Sequence, residues 1–271
     1  MQIIDILKAA ASDVFKETRN LIGRPESAVT FGRGAGGDLS SRIDLVAEKA
    51  VLNTIEKHSF KPTVIGEECG TIEGGDGYLI MDAVDGTTNA TRGIPFSCCS
   101  LGYATQCRLS SVSDAVIIDL NTGDVYESSL NRGASMNGFR LKIDLDDANR
   151  GAKSQSELVV GVNISGMNNP NIEKMSKIIS KCLHVRHLGA NALELCFFAR
   201  GLIDMYIDLR GKIRVTDLAA GYLIAKEAGG TLFNPQGESL DSDLSLDNRI
   251  SFIAAKNKEF LQLLEPSQDK C

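Results

Sequence analysis

The feature that most constrains this chain is an eight-residue run, Asp82-Ala83-Val84-Asp85-Gly86-Thr87-Thr88-Asn89. It follows Tyr78-Leu79-Ile80-Met81, an apolar run that reads as a buried strand over Tyr78–Asp82. Two carboxylates therefore stand at a strand's end, three residues apart, with a backbone carbonyl free between them. Oxygen donors at that density suit a hard divalent cation, Mg2+ above all. Gly86 permits a sharp turn. Thr87, Thr88 and Asn89 are then suited to cap a short helix whose open N–H groups can seat a phosphate.

The other acidic residues matter insofar as they can reach this point. Thr63-Val64-Ile65 reads as a short strand that ends in Gly66-Glu67-Glu68. A helix over residues 41–58 carries Asp44 near its start, where a carboxylate also suits the helix dipole. Asp217 opens a helix over 217–228, followed at once by Leu218-Ala219-Ala220-Gly221. Residues that small let a helix pack closely against a neighbour and can bring Asp217 to the other carboxylates.

Around these segments the pattern is of layered α/β architecture. An amphipathic helix is expected over 2–21, and the stretch from Cys98 to Glu127 is rich in strands. Arg132–Gly138 reads as a turn. The second half alternates: strands at 158–162, 185–188, 205–208, 231–233 and 250–254, helices at 171–182, 190–200, 217–228 and 256–264. The polar segment 144–157 reads as a connection between two halves, 1–150 and 151–271. Gly32-Arg33-Gly34-Ala35-Gly36-Gly37 formally matches G-x-G-x-x-G, but Asp38 follows it and would repel a pyrophosphate. A flexible loop beside the metal site is the better reading.

Composition excludes several classes. The net charge is −6 and there is no basic stripe, which argues against a nucleic-acid binder. His58, His184 and His187 make no zinc spacing. The seven cysteines include no C-x-x-C pair and are odd in number, which fits reduced thiols in a cytoplasmic protein. Asp5 and Lys8 interrupt the apolar pattern of the N-terminus, so it does not read as a signal peptide. No apolar run approaches the ~20 residues of a membrane span.

Gly66-Glu67-Glu68, Asp82–Asn89 and Asp217–Gly221, in this order and spacing, resemble the signature set of the inositol monophosphatase superfamily, of Mg2+-dependent, lithium-sensitive phosphatases. Ala83 stands where the family usually has proline, and Thr216 where it has tryptophan; neither supplies a ligand side chain. Tyr206–Arg214 is similar to the archaeal branch, which includes enzymes active on both inositol-1-phosphate and fructose-1,6-bisphosphate. The resemblance implies an αβαβα sugar-phosphatase fold, a homodimer, and two or three Mg2+ per subunit. It implies a first ion on Glu67, Asp82 and the Val84 carbonyl, and a second on Asp82, Asp85 and Asp217. Glu67 would also help to hold the third ion near the glycine loop. Asp44 matches the aspartate that bonds the motif threonine, Thr87. Gly86 and Thr87 would offer N–H groups to phosphate, and Gly189, Ala190, Asn191 and Asp208 would meet substrate hydroxyls. Arg186 and Arg210, with Lys212 and Arg214, are cation candidates for a second phosphate.

The expected activity is therefore Mg2+-dependent hydrolysis of a small phosphorylated sugar or cyclitol. Thr87, Asp44 and Glu67 would serve the catalytic step. A 3′-nucleotidase, an NADP phosphatase and a non-catalytic sugar-phosphate sensor are the alternatives on the same scaffold. Haloacid-dehalogenase chemistry needs D-x-D-G-T, and here the aspartates are three apart, not two.

Overall fold

The structure is a computed structural model that describes residues 1–37, 39–143, 158–180 and 182–262. Asp38, the expected inter-half connection at 144–157 and the end of the expected closing helix lie outside the described residues. The first half contains α1 (Ile3–Thr18), β1 (Thr30–Arg33), β2 (Leu39–Ser41), α2 (Arg42–Lys57), β3 (Thr63–Gly66) and β4 (Gly70–Ile72). It continues through β5 (Tyr78–Asp85), α3 (Thr87–Arg92), β6 (Cys98–Ala104), β7 (Val112–Asp119), β8 (Val125–Ser129), β9 (Gly133–Met136) and β10 (Phe139–Leu141). The second half contains β11 (Val159–Asn163), α4 (Asn169–Ile179), β12 (His184–Arg186), α5 (Asn191–Ala199) and β13 (Met205–Ile213). It ends in α6 (Val215–Glu227), β14 (Thr231–Phe233), β15 (Ile250–Ala255) and α7 (Glu259–Gln262).

Eight strands of the first half form one sheet in the order β10-β9-β8-β7-β6-β5-β3-β4, and five strands of the second half form another, β12-β11-β13-β15-β14. Side-chain alternation sets the layers. Leu79 and Met81 of β5, Cys99 and Leu101 of β6, and Val116 and Ile118 of β7 pack on one face of the large sheet, with α1 and α2. Ile80, Cys98 and Ile117 point to the other face and share a core with α5 and α6. That same core takes in Tyr206, Phe252 and Ala254 from the small sheet. Met205, Ile207 and Ile253 face away from it and pack with Met175 and Ile178 of α4. The layers thus run α1/α2, sheet, α5/α6, sheet, α4, which is the expected αβαβα order. Because both faces of β5 are covered, it reads as a continuous apolar run instead of an alternating one.

Two local readings need correction. Arg132–Gly138 is not a plain turn: β9 lies within it and pairs with β8, Tyr126 opposite Met136. Turns flank it on both sides, at Asn131 with φ +63° and at Asn137-Gly138 with φ +51° and +80°. β5 continues past Asp82 to Asp85, and the short strands β4 and β10 were not expected. Aspartates are poor strand formers and three-residue strands carry no readable period. The glycine run leads from β1 toward β2 and opens no helix, in keeping with the preferred reading of it as a loop and not a dinucleotide fingerprint.

Candidate functional site: an acidic cluster beside a threonine

In a regular strand Asp82 and Asp85, three residues apart, would project from opposite faces. A bulge in β5 prevents this. Asp82 is registered opposite Ser100 and Asp85 opposite Cys98, two residues that share one face of β6. The extra residue therefore brings both carboxylates to the face covered by α5 and α6. β3 runs parallel to β5 with Gly66 opposite Met81, so Glu67 continues to the level of Asp82. From the other side comes α6. Its Ala219 sits against Gly102 of β6 so closely that a Cβ at Gly102 would lie 3.3 Å from the Ala219 Cβ. The small residues thus allow the approach expected of them, and Asp217, in the first turn of α6, arrives at the cluster.

One carboxylate oxygen from each of Glu67, Asp82 and Asp217 lies within 4.8 Å of the others. Asp85 is their buried neighbour, and its Oδ2 accepts a 2.6 Å hydrogen bond from the N–H of Ala192 at the start of α5. Burial pushes the Asp82 carboxyl well above the usual range, and the charges of Glu67, Asp85, Asp217 and Asp44 push it further. Asp85 is raised by burial, then by Asp217, and Asp217 by burial against the pull of Arg214. Two unit charges ~5 Å apart repel by about 3 kcal/mol at an effective dielectric near 20. A few such pairs approach the whole stability of a domain, roughly 5–15 kcal/mol. The donor set is all hard oxygen and its excess charge is negative, which fits Mg2+.

Thr87 stands at the edge of this cluster. Gly86 takes φ +89° and starts α3, so Thr87 comes first in the helix. Its hydroxyl does not cap the helix, contrary to expectation. It lies 2.9 Å from Asp44 Oδ1 and 3.0 Å from the Val84 carbonyl oxygen, which share its one hydrogen. Asp44 is held in turn by the Ser41 N–H at 2.9 Å and the Ser41 hydroxyl at 2.8 Å. Burial raises the Asp44 pKa, and the bonds from Ser41 and Thr87 oppose that rise.

The remaining expected residues fall into two groups. Gly189 and Ala190 abut Gly86, where a Cβ would lie 3.1 Å from the Ala190 Cβ, and Asn191 opens α5 beside Asp85. Asp208, by contrast, is fully buried and both its oxygens meet Arg210, the closest contact being 2.7 Å. Arg186 is exposed on β12 and donates to the Val185 carbonyl. Arg214 does not join a sugar-side cation group: its Nη1 lies 2.7 Å from Glu67 Oε1 and its Nη2 donates to the Gly36 carbonyl at 3.0 Å. The glycine loop itself is bound to the Glu67–Glu68 turn, with Gly36 N–H donating to the Glu67 carbonyl at 2.7 Å.

Sequence reasoning missed Glu48 and Glu194. Glu48 is buried and accepts the N–H groups of Glu68 and Cys69, both at 2.9 Å, so it shapes the turn that presents Glu67. Its spacing of four from Asp44, on one helix face, was the available signal. Glu194 is buried on α5 and accepts from the N–H groups of Leu188 and Gly189.

Comparison with known proteins places the whole chain. A fructose-1,6-bisphosphatase/inositol-1-monophosphatase of Archaeoglobus fulgidus is 33% identical over 93% of this chain and 97% of its own. A bifunctional NADP phosphatase/NAD kinase of Methanococcus maripaludis is 28% identical over 94% of this chain, which spans 47% of that larger protein. A solved inositol monophosphatase–fructose 1,6-bisphosphatase superposes with a TM-score of 0.85 at 27% identity, covering 97% of this chain and 98% of its own. The sequence profile of the inositol monophosphatase family matches residues 2–270, so a chain whose three acidic segments converge in this way belongs to the inositol monophosphatase family.

Proposed function

We propose that the protein is a Mg2+-dependent phosphomonoesterase acting on small sugar and cyclitol phosphates, fructose-1,6-bisphosphate and inositol-1-phosphate among them. The observation that carries this reading is the convergence of Glu67, Asp82 and Asp217 beside a threonine already bonded to Asp44. Glu67, Asp82, Asp85, Asp217 and the Val84 carbonyl would hold the Mg2+ ions, two or three per subunit. Bound there, the ions supply the positive charge that offsets a phosphate dianion and acidify water.

The chain's own groups do the rest. Thr87 Oγ1 accepts a hydrogen from the attacking water while its own hydrogen passes toward Asp44 Oδ1, 2.9 Å away, and as the ester P–O bond breaks a water held near Asp85 gives the leaving oxygen its proton. Asp44 needs its bonds from Ser41 to stay oriented for this, since burial favours its neutral form. Glu67 orients the water from the metal side. The N–H groups of Gly86 and Thr87 face the phosphate, and Gly189, Ala190 and Asn191 meet the sugar. Positioning and charge dominate, as phosphoryl transfer requires.

The resemblance also supports a homodimer, and the free cysteines among the described residues support a cytoplasmic protein. No helix among the described residues is long and apolar enough to cross a membrane. The similarity to an NADP phosphatase keeps that substrate in view. One assay tests all of this: phosphate release from fructose-1,6-bisphosphate, inositol-1-phosphate, a 3′,5′-nucleotide bisphosphate and NADP, with Mg2+ and with EDTA. Mg2+-dependent release from the first two is expected. Release from none, or release undiminished in EDTA, overturns the reading.

A further inference from the structure

Beneath the loop that leads into α5 lies a chain of buried polar groups with no part in the hydrolytic step. Tyr206, fully buried on β13, places its hydroxyl 2.5 Å from Asn191 Oδ1. Asn163, buried on β11, donates its Nδ2 to the same Oδ1 at 3.3 Å. The Oδ1 of Asn163 is thereby left as an acceptor, and His187 Nε2 lies 2.9 Å from it. Asn191 Oδ1 thus accepts from both Tyr206 and Asn163. The amide of Asn191 is therefore fixed in one of its two orientations.

Two further contacts fix where Asn191 stands. Asp85 accepts from the backbone N–H groups of Asn191 and Ala192, which ties the start of α5 to the acidic cluster. Glu194, one turn along α5, accepts from Leu188 and Gly189 and also hydrogen-bonds the Tyr206 side chain. Asn89 of α3 donates to the Leu188 carbonyl at 2.7 Å, so the loop is gripped from both sides. Asn191 itself is half-buried, and its Nδ2 donates to no described residue.

We infer that Tyr206 is a positioning residue which, through its bond to Asn191 Oδ1, turns the Asn191 Nδ2 toward the substrate and makes the site select ligands bearing a hydroxyl or other oxygen acceptor beside the phosphate. The inference rests on the phosphomonoesterase reading above. The Tyr206 hydrogen is shared between Asn191 Oδ1 and the Glu194 carboxylate, whose pKa burial raises to about 7 while this bond lowers it. The selection follows from the cost of leaving a donor that faces the substrate unmet. A substrate without an acceptor at this place leaves Nδ2 unsatisfied.

The test compares two substrates with Mg2+ bound: inositol-1-phosphate, which carries ring hydroxyls, and p-nitrophenyl phosphate, which carries none. In Tyr206→Phe the ratio of their kcat/KM values is expected to fall about tenfold, with the loss in KM for inositol-1-phosphate. Asn191→Asp keeps the shape, removes the donor and carries the same expectation if Tyr206→Phe folds poorly. An unchanged ratio in both Tyr206→Phe and Asn191→Asp overturns the inference. Equal losses on both substrates overturn it too, because a purely structural role would act on both. A wild-type protein that hydrolyses neither ester removes the phosphomonoesterase reading itself, a result distinguishable from either of these.

Discussion

The acidic cluster at Asp82 and the hydrogen-bonded network at Asn191 are neighbours across Asp85, yet they bury polar groups in opposite ways. In the network each polar atom that faces inward has a partner of the right kind, from His187 through Asn163 and Asn191 to Tyr206 and Glu194. In the cluster like charges face one another, and the main cation that enters is Arg214, at Glu67 and near Asp217. A network satisfied by the chain alone is preorganised and selects. A cluster that needs outside charge binds, and it lowers the stability of the protein that carries it.

The sharpest way to break this comparison is to neutralise one member of the cluster. Asp82→Asn keeps the oxygen that accepts from the Val84 N–H at 3.0 Å but removes the charge shared by the whole group. Phosphate release should fall by about a thousandfold. In EDTA, however, the melting temperature should rise by roughly 4 °C, since repulsion is relieved. If both activity and metal-free stability fall, the cluster is not strained by its own charge. Thr87→Ala serves as the contrast. It should lower kcat about a hundredfold and leave Mg2+ affinity, measured by calorimetry, within about twofold.

Arg210 tests the satisfied side. Asp208 is fully buried and Arg210 nearly so, hence removing one partner strands the other. Arg210→Ala should cost about 3 kcal/mol in denaturant unfolding, whatever its effect on substrate choice. Adding Asp208→Asn to it should restore most of that loss. A double variant as unstable as the single one would mean that the pair stabilises by packing, not by mutual neutralisation. This pairing also changes how selectivity is to be tested. A weaker bisphosphatase in Arg210→Ala is informative only when the double variant, with its buried charge removed, is measured beside it.

How much of this was legible follows the same division. The cluster could be read because its ligands announce themselves locally. Asp82, Asp85, Gly86 and Thr87 lie within one turn-forming run, and Asp217 precedes small residues that permit close packing. Most helices followed from hydrophobic period, whereas the layer order came only with the family resemblance. The bulge that turns Asp82 and Asp85 to one face could not be read, since nothing in the run marks the extra residue. Nor could the network. Tyr206 and Asn191 lie on a strand and a helix whose contact is fixed by tertiary packing, and a buried Tyr in an apolar strand looks like core. Arg214 was read as a sugar-side cation for the same reason: its partner, Glu67, is 147 residues away.

The smallest expected effect separates the two regions by pH. Asp82, Asp85 and Asp217 have raised pKa values, so between the ordinary carboxylate value near 4 and those raised values the folded protein binds more protons than the unfolded one. Stability must then fall as pH rises through that window. Glu194, pushed from 4.5 to about 7, adds a slope of the same sign that ends near pH 7. Mg2+ binds only the ionised cluster, so saturating metal should reverse the first component, and it leaves the second in place. Melting temperatures from pH 5 to 8 should therefore fall in EDTA, and with Mg2+ a shallow fall of about 2–3 °C should remain and disappear in Glu194→Gln. His187, lowered by burial, titrates with the opposite sign, but it does so in both proteins and cancels in the difference. An identical Mg2+-bound profile in wild type and Glu194→Gln would place the remaining slope elsewhere, and Glu194 would then have to be ionised across the range.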